Sequence, residues 1–163
     1  MLQSGDILHI YVTFIRPPHY KFVVCVCPKH PLFFFINTGP GSFTPDADVF
    51  VEKAELRFLD HDSYIDTSLV VTFPQVELDQ AEKKGVLTIS IKARISDTLT
   101  QHKYLAPVHA KKIMKNLTSS QSTQLSNKIS ILEQELLFLD DGPWVSPCSE
   151  SIENMAEKTK FPS

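Results

Sequence analysis

Hydrophobic residues cluster most densely in two short runs near the start of the chain, residues 23–27 and 32–36. The break between them, residues 28–31, begins and ends with proline. Short runs of β-branched and aromatic residues bounded by prolines favour strands over a helix. Because the break is so short, we predict that the two runs pair as antiparallel neighbours at the centre of a small β-barrel.

The pattern on either side of this pair predicts further strands. Residues 7–14 alternate loosely between apolar and polar, and this first strand must end at the prolines of residues 17–18, which cannot donate to a ladder. Residues 69–78 predict a strand interrupted at Pro74. Residues 86–95 alternate with a period of two, which also predicts a strand.

Two segments between these strands are predicted as turns, and the secondary structure of a third is undecided. Gly39-Pro40-Gly41 and Lys83-Lys84-Gly85 predict turns. Residues 52–59 fit a strand and a short helix equally well, so both interpretations remain open.

Beyond residue 106, apolar residues recur at spacings of three and four, which is typical of helices. Pro107 suits the first helical position, where its missing N–H costs nothing. Thr118-Ser119-Ser120-Gln121 fits a capping box, so a second helix should start there and run to about Leu139. Apolar stripes mark each helix: Ala110, Ile113, Met114 and Leu117 on the first, and Leu125, Ile129, Leu132 and Leu136 on the second.

Gly142 and Pro143 should end the second helix, and a polar segment follows. The predicted organisation is a barrel with its terminal helix over residues 1–118, an additional helix over residues 119–140 and a flexible tail over residues 141–163.

Composition limits the classes of function. The net charge of −3 at pH 7 gives no overall basic footprint for nucleic acid, although a local basic site remains compatible with it. The chain contains no apolar run long enough to span a membrane, and residues 1–6 lack the features of a secretion signal. Together with the odd number of cysteines, these features predict a cytoplasmic protein without membrane association.

The cysteines could suggest a metal site. Cys25 and Cys27 are two apart on a predicted strand, so they should share one face. Because no second cysteine pair lies nearby, we predict buried core thiols rather than a zinc site. The sequence thus predicts no metal and no cofactor.

Several segments, taken in order, resemble the MazF/PemK-type toxins of bacterial type II toxin–antitoxin systems. Gly5-Asp6-Ile7 resembles the family's entry into its first strand, and residues 34–38, which end in Asn37-Thr38, resemble a strand that ends in Ile-Thr. Residues 62–68 resemble a later loop that leads into a strand. Tyr104-Leu105-Ala106-Pro107 is similar to the family's helix start.

This resemblance covers roughly residues 3–118 and implies both a fold and a function. The implied fold is an SH3-like β-barrel, mainly β with α, that carries C-terminal helices and often forms a homodimer. The implied activity is metal-independent, sequence-specific cleavage of single-stranded RNA by an endoribonuclease. The implied partners are single-stranded RNA and a cognate antitoxin. One departure is that the family usually has arginine just before the second strand, where this chain offers only Lys21 and Arg16.

The candidate catalytic residues are Lys21, His19 and Thr38. Metal-free RNA cleavage needs a base for the 2′-hydroxyl, an acid for the leaving oxygen and a cation for the phosphorane charge. His19 and Lys21, with Arg16 as a substrate-binding residue, could supply these, and the hydroxyl of Thr38 could bind a phosphate. The competing interpretations are a solvated basic loop and a threonine that completes the turn before Gly39.

Asp62 and Ser63 are further candidates for substrate binding. They lie in a segment dense in hydrogen-bonding groups, with His61 before them and Asp66 after them. No spacing there matches a catalytic triad or a metal site. A hydrogen-bonded turn at the start of a strand is the alternative.

Two functions therefore stay open. The first is an endoribonuclease toxin, and the second is a catalytically inactive SH3-like barrel that binds a protein or a nucleic acid. They differ in whether His19, Lys21 and Thr38 face a common groove.

Overall fold

The computed structural model describes the backbone of residues 1–101 and 103–137, and the side chains of that range except residues 120–128 and 132–137. In this part of the chain, six strands form one antiparallel sheet in the spatial order β4-β5-β3-β2-β1-β6. The strands are β1 (Asp6–Val12), β2 (His19–Cys27), β3 (Leu32–Asn37), β4 (Asp48–Val51), β5 (Ser63–Val71) and β6 (Glu82–Val86).

Helices complete this fold. The α-helices of the described residues are α1 (Gln75–Gln80), α2 (Ile89–Gln101) and α3 (Pro107–Leu137), and short 3₁₀ helices occupy Pro45–Ala47 and Lys53–Glu55. The prediction of a mainly β fold with helices is confirmed. Within the described ranges, no helix combines the length and the apolar character needed to cross a bilayer.

The predicted central strand pair is confirmed. β2 and β3 are antiparallel neighbours in the middle of the sheet, with Phe22 opposite Ile36 and Cys25 opposite Phe33. Residues 23–27 are all buried, which explains their continuous apolar run.

Each face of the sheet carries its own hydrophobic cluster. On the face that we call the helix face, side chains such as Ile7, Val24 and Phe34 pack with α2 and α3. On the opposite face, called the Phe73 face, the cluster is smaller and includes Phe73 itself. Its other buried members are Leu8, Ile10, Val12, Val23, Cys25 and Phe33.

Cys25 and Cys27 are buried as predicted, but the prediction that they share a face is wrong. The pairing of β2 with β3 shifts register between these two residues. Such a bulge places one extra residue on the strand and breaks the period of two. Cys25 consequently packs in the cluster of the Phe73 face, and Cys27 packs in that of the helix face.

The strand predicted over residues 86–95 is wrong, because β6 ends at Val86 and α2 begins at Ile89. The Thr88 hydroxyl accepts the N–H of Ile91 at 3.3 Å, in the manner of a helix N-cap. Ile91, Ile95 and Leu99 are buried at a spacing of four, which is the helical period.

Three further segments differ from the prediction or resolve what it left open. The turn predicted at residues 83–85 lies instead inside β6, which pairs with β1 at one edge of the sheet. The strand predicted at residues 69–78 is wrong in extent, since β5 ends at Val71 and α1 follows Pro74. In residues 52–59 the short-helix interpretation holds, as a 3₁₀ turn at Lys53–Glu55.

α3 begins at Pro107 as predicted, and Ile113 and Leu117 of its apolar stripe are buried. The predicted break at the capping box is wrong, because the helix continues through it. The hydroxyls of Thr118 and Ser119 donate to the carbonyls four residues earlier, at 2.9 and 2.8 Å, which is compatible with helix interior rather than a start.

The chain divides into two compact units, residues 1–126 and 127–163, and the whole sheet belongs to the first. In the second unit, the side chains of Ile129 and Ile131 are exposed. The predicted end of the second helix near Leu139 and the predicted tail at residues 141–163 lie outside the described residues.

Candidate functional site

The antiparallel order brings the candidate residues to one end of the sheet, which we call the Lys21 end. β2 starts there, opposite the end of β1, with Val12 paired to His19. β3 ends there beside the start of β5, with Asn37 paired to Tyr64. Arg16 lies in the loop before β2, Thr38 directly follows β3, and Asp62 and Ser63 lie at the start of β5.

Lys21 is half-buried at this end and held by an amide. Its Nζ donates to Oδ1 of Asn37 at 2.9 Å and lies 5.7 Å from the centroid of the Phe35 ring. Burial lowers the pKa of Lys21 below the ordinary lysine value, because desolvation disfavours the ammonium form. A neutral amide binds the ammonium without offsetting this effect as a carboxylate would, so Lys21 releases a proton more readily than an exposed lysine.

His19 is exposed at the first position of β2, and its ring is oriented by the backbone. Nδ1 lies 2.7 Å from the carbonyl oxygen of Pro17. A carbonyl oxygen only accepts, so this contact requires a proton on Nδ1. In the neutral ring, Nε2 is then the acceptor, which is the arrangement that a general base needs. His19 and Lys21 are two apart on β2, so both point to the Phe73 face, with Cα atoms about 7 Å apart.

Arg16 and Thr38 are both exposed at the Lys21 end. Thr38 is one residue beyond Asn37, the hydrogen-bond partner of Lys21. The cations, the imidazole and the hydroxyl therefore share one end of the sheet. Whether they act on a substrate stays a prediction.

Asp62 and Ser63 are instead engaged within their own turn. Oδ1 of Asp62 accepts the N–H of Lys53 at 2.8 Å, at the start of a 3₁₀ helix. The Ser63 hydroxyl is buried and donates to the carbonyl of His61 at 3.2 Å. These contacts favour the hydrogen-bonded turn, and a role in substrate binding stays a prediction.

A pair of carboxylates lies further along the Phe73 face, where Asp48 of β4 is paired to Asp66 of β5. Oδ2 of Asp48 accepts the N–H of Gly41 at 2.5 Å. Burial raises the pKa of Asp48, the Gly41 hydrogen bond opposes this, and the charges of Asp66 and Asp46 raise it further. Among the side chains that the structure describes, no group of three or more His, Cys, Asp or Glu is placed to hold a metal ion.

Sequence reasoning missed two features at the Lys21 end. One is Asn37, because the partner of Lys21 depends on the register between β2 and β3. The other is a series of aromatic rings on the helix face, which we call the aromatic row. Its sequence signal was present, since aromatic rings or imidazole stand at alternate positions of β1 and β2. The row consists of Tyr11, Tyr20, His9, Phe22 and Phe58.

The rings of this row are in continuous contact. Centroid distances are 5.1 Å from Tyr11 to Tyr20, 4.9 Å from Tyr20 to His9, and 4.7 Å from His9 to Phe22. Phe58, which precedes β5 in the chain, extends the row at 5.0 Å from Phe22. Tyr20 and Tyr11 are 60% and 45% exposed, so one end of the row is open to solvent.

Comparison of the chain with models of protein families found no match, and a search of curated proteins found no match either. The candidate site therefore rests on the geometry of the chain itself.

Proposed function

We propose that this protein is the toxin of a type II toxin–antitoxin system and cleaves single-stranded RNA without a metal ion. One observation carries the proposal: a half-buried lysine with a lowered pKa shares a strand, a face and an open sheet end with an oriented histidine. These two residues provide the acid and the base that cleavage at an RNA 2′-hydroxyl requires.

The chemistry follows from the positions of the two groups. Nε2 of His19 takes the proton of the 2′-hydroxyl, and the 2′-oxygen attacks the adjacent phosphorus. The bond from phosphorus to the 5′-oxygen breaks, and the Lys21 ammonium stabilises the phosphorane charge and then protonates the leaving oxygen. The products are a 2′,3′-cyclic phosphate and a 5′-hydroxyl. Arg16 and Thr38 bind the phosphate before reaction.

The proposal extends to the fold and to the partners. It takes the sheet as an SH3-like barrel, and the register shifts in three of its strand pairings support this, because bulges bend strands toward closure. It also includes a homodimer and inhibition by a cognate antitoxin in the cytoplasm. The resemblance in sequence motifs supports these elements.

The test is incubation of the purified full-length protein with a mixed RNA pool in EDTA. We expect cleavage by the unmutated protein, and losses on the order of a hundredfold in rate for Lys21→Ala and for His19→Ala. Lys29→Ala is the matched control, because Lys29 is an exposed lysine in the turn between β2 and β3. Equal cleavage by all four proteins would indicate a contaminating nuclease and contradict the proposal.

A second candidate function is a binding module without catalytic activity. The observation that favours it is the use of lysine rather than arginine before the centre of the sheet, because lysine lacks the bidentate fork that suits phosphate. This alternative predicts binding of RNA in EDTA with no new 5′-hydroxyl ends. The cleavage assay therefore separates the two functions.

A further inference from the structure

The aromatic row extends from the cluster of the helix face to rings that are exposed to solvent. Phe22 and Phe58 are partly buried against the cluster of the helix face. Tyr11 and Tyr20 continue the row outward to the Lys21 end, where both are exposed. An exposed group of aromatic rings marks a surface that contacts a ligand or a partner.

The position of Tyr20 links this surface to the candidate site. Tyr20 stands between His19 and Lys21 on β2, so its side chain points to the opposite face of the same strand. Adjacent Cα atoms on a strand are about 3.8 Å apart. A chain that crosses the Lys21 end of the sheet can therefore contact Lys21 on one face and Tyr20 on the other.

Cations lie near both ends of the row. At the Lys21 end, Lys21 lies on the opposite face of β2, and Arg16 lies in the loop before that strand. At the other, Phe58 lies in a groove lined by Arg57 and Lys84. The acidic side chain of this groove, Glu55, is paired with Arg94 at 2.5 Å.

The charge of Lys84 is partly neutralised by Glu82, whose carboxylate lies 2.6 Å from the Lys84 ammonium. Arg57 is therefore the main positive charge that we expect a ligand to meet at this end. A ligand with flat faces and negative charges on either side fits such a surface, and this describes single-stranded nucleic acid. In a duplex, the bases already stack on each other and their faces are not accessible.

We propose that the aromatic row is a stacking platform for the bases of single-stranded RNA next to the reacting phosphate, with Tyr20 and Tyr11 as the principal contacts. The proposal rests on the proposed function, because it takes RNA as the ligand. It assigns bases to the helix face and the reacting phosphate to the Phe73 face.

The experiment measures binding without cleavage. A fluorescent single-stranded oligonucleotide with 2′-O-methyl groups throughout lacks the attacking hydroxyl, and its affinity for the full chain is measured by anisotropy in EDTA. We expect Tyr20→Ala and Tyr11→Ala each to weaken binding roughly tenfold or more. Tyr20→Phe keeps the ring and should bind as the unmutated protein does.

Three controls address folding, location and the preference for single strands. Tyr20→Leu keeps apolar volume without a ring, so equal melting temperatures with weaker binding assign the loss to stacking. Phe43→Ala removes a 94% exposed ring outside the row and should leave binding unchanged. A duplex of the same sequence should bind more weakly than the single strand.

The outcomes separate this inference from the proposed function. If the unmutated protein binds the oligonucleotide through Tyr20 but cleaves no RNA, the platform stands and the nuclease proposal fails. If RNA is cleaved while Tyr20→Ala and Tyr11→Ala bind like the unmutated protein, the platform is overturned and the nuclease stands. No binding by the unmutated protein, or equal binding of the duplex, also overturns the platform.

Discussion

Burial lowers the pKa of two lysines that lie at opposite ends of the sheet, but the surroundings of the two side chains differ. Lys92 of α2 is completely buried beside Gly5 and Asp6, at the end where β1 starts. Burial lowers its pKa, and the nearby Asp6 carboxylate partly offsets that effect. Lys21 also has a lowered pKa, but it is only half-buried, and it donates a hydrogen bond to the neutral side chain of Asn37.

The difference shows that a perturbed pKa alone does not mark a reactive group. The Lys92 side chain is closed over by backbone, because a Cβ at Gly5 would lie 2.7 Å from its Cε. Gly5 is itself fixed by two hydrogen bonds, to the carbonyl of Cys25 at 2.7 Å and from the N–H of Leu87 at 2.8 Å. No substrate can reach an amine in that position, whereas Lys21 lies at a sheet end that is open to solvent.

Gly5→Ala disrupts the packing of Gly5 over the Lys92 side chain and should have the largest effect on stability. Gly5 has φ of +94°, which side chains disfavour, and the added Cβ would clash with Lys92. We expect a loss of about 3 kcal/mol, or roughly 10 °C in melting temperature. Thermal melting measures it.

Gly39→Ala is the matched control for this prediction, because a Cβ there meets no atom within 4 Å. In a Lys92→Ala background, Gly5→Ala should cost less, since the clash is relieved and only the backbone strain remains. An unchanged melting temperature for Gly5→Ala would contradict the role of Gly5 as a cover for Lys92.

Lys92→Met sharpens the comparison through pH dependence. In the folded chain, the pKa of Lys92 is lower than the ordinary value of 10.5, which applies to the unfolded chain. At a pH between these two pKa values, the unfolded chain therefore binds more protons than the folded chain. The stability of the unmutated protein should therefore rise with pH in that window, relative to Lys92→Met. Urea unfolding at several alkaline pH values measures this, and parallel curves would contradict it.

Asp48→Asn applies the same reasoning to a carboxylate, with the opposite sign. Burial raises the pKa of Asp48 in the folded chain above the ordinary value of 3.8, which applies to the unfolded chain. At a pH between 3.8 and the folded-state pKa, the folded chain therefore binds more protons than the unfolded chain. The unmutated protein should lose stability relative to Asp48→Asn as pH rises through that window. Unfolding from pH 3 upward measures the difference, and a gain of stability with rising pH would refute the assignment.

Lys21→Met should have the smallest effect on stability, within about 0.5 kcal/mol at neutral pH. Loss of the hydrogen bond to Asn37 is offset by removal of a partly desolvated charge. The same substitution should abolish most RNA cleavage. A large loss of stability would make Lys21 a structural lysine like Lys92 and remove the contrast between the two ends.

The parts of the fold that depend on local patterns were predictable from sequence. The pairing of residues 23–27 with 32–36 follows from apolar runs too short for helices and from a break bounded by prolines. The burial of Ile113 and Leu117 follows from their helical spacing. The prediction for residues 86–95 was wrong because a short segment can satisfy both the strand period and the helix period. The Thr88 hydroxyl, which accepts the N–H of Ile91, favours the helix.

The site was only partly predictable, for a different reason. Antiparallel order brings Thr38 to the start of β2 once the strands are known, and sequence reasoning reached that far. The hydrogen bond between Lys21 and Asn37 depends on cross-strand register. Register in turn depends on bulges, and a bulge gives no clear signal in residue type.

The bulge in β2 gives the protein two internal reporters. Cys25 and Cys27 are buried on opposite faces, and burial raises the pKa of the Cys25 thiol to about 12. Each thiol can react with an alkylating reagent only when its own face opens. Mass spectrometry that follows the labelling of Cys25 and of Cys27 separately would therefore show which layer of the native protein separates from the sheet first.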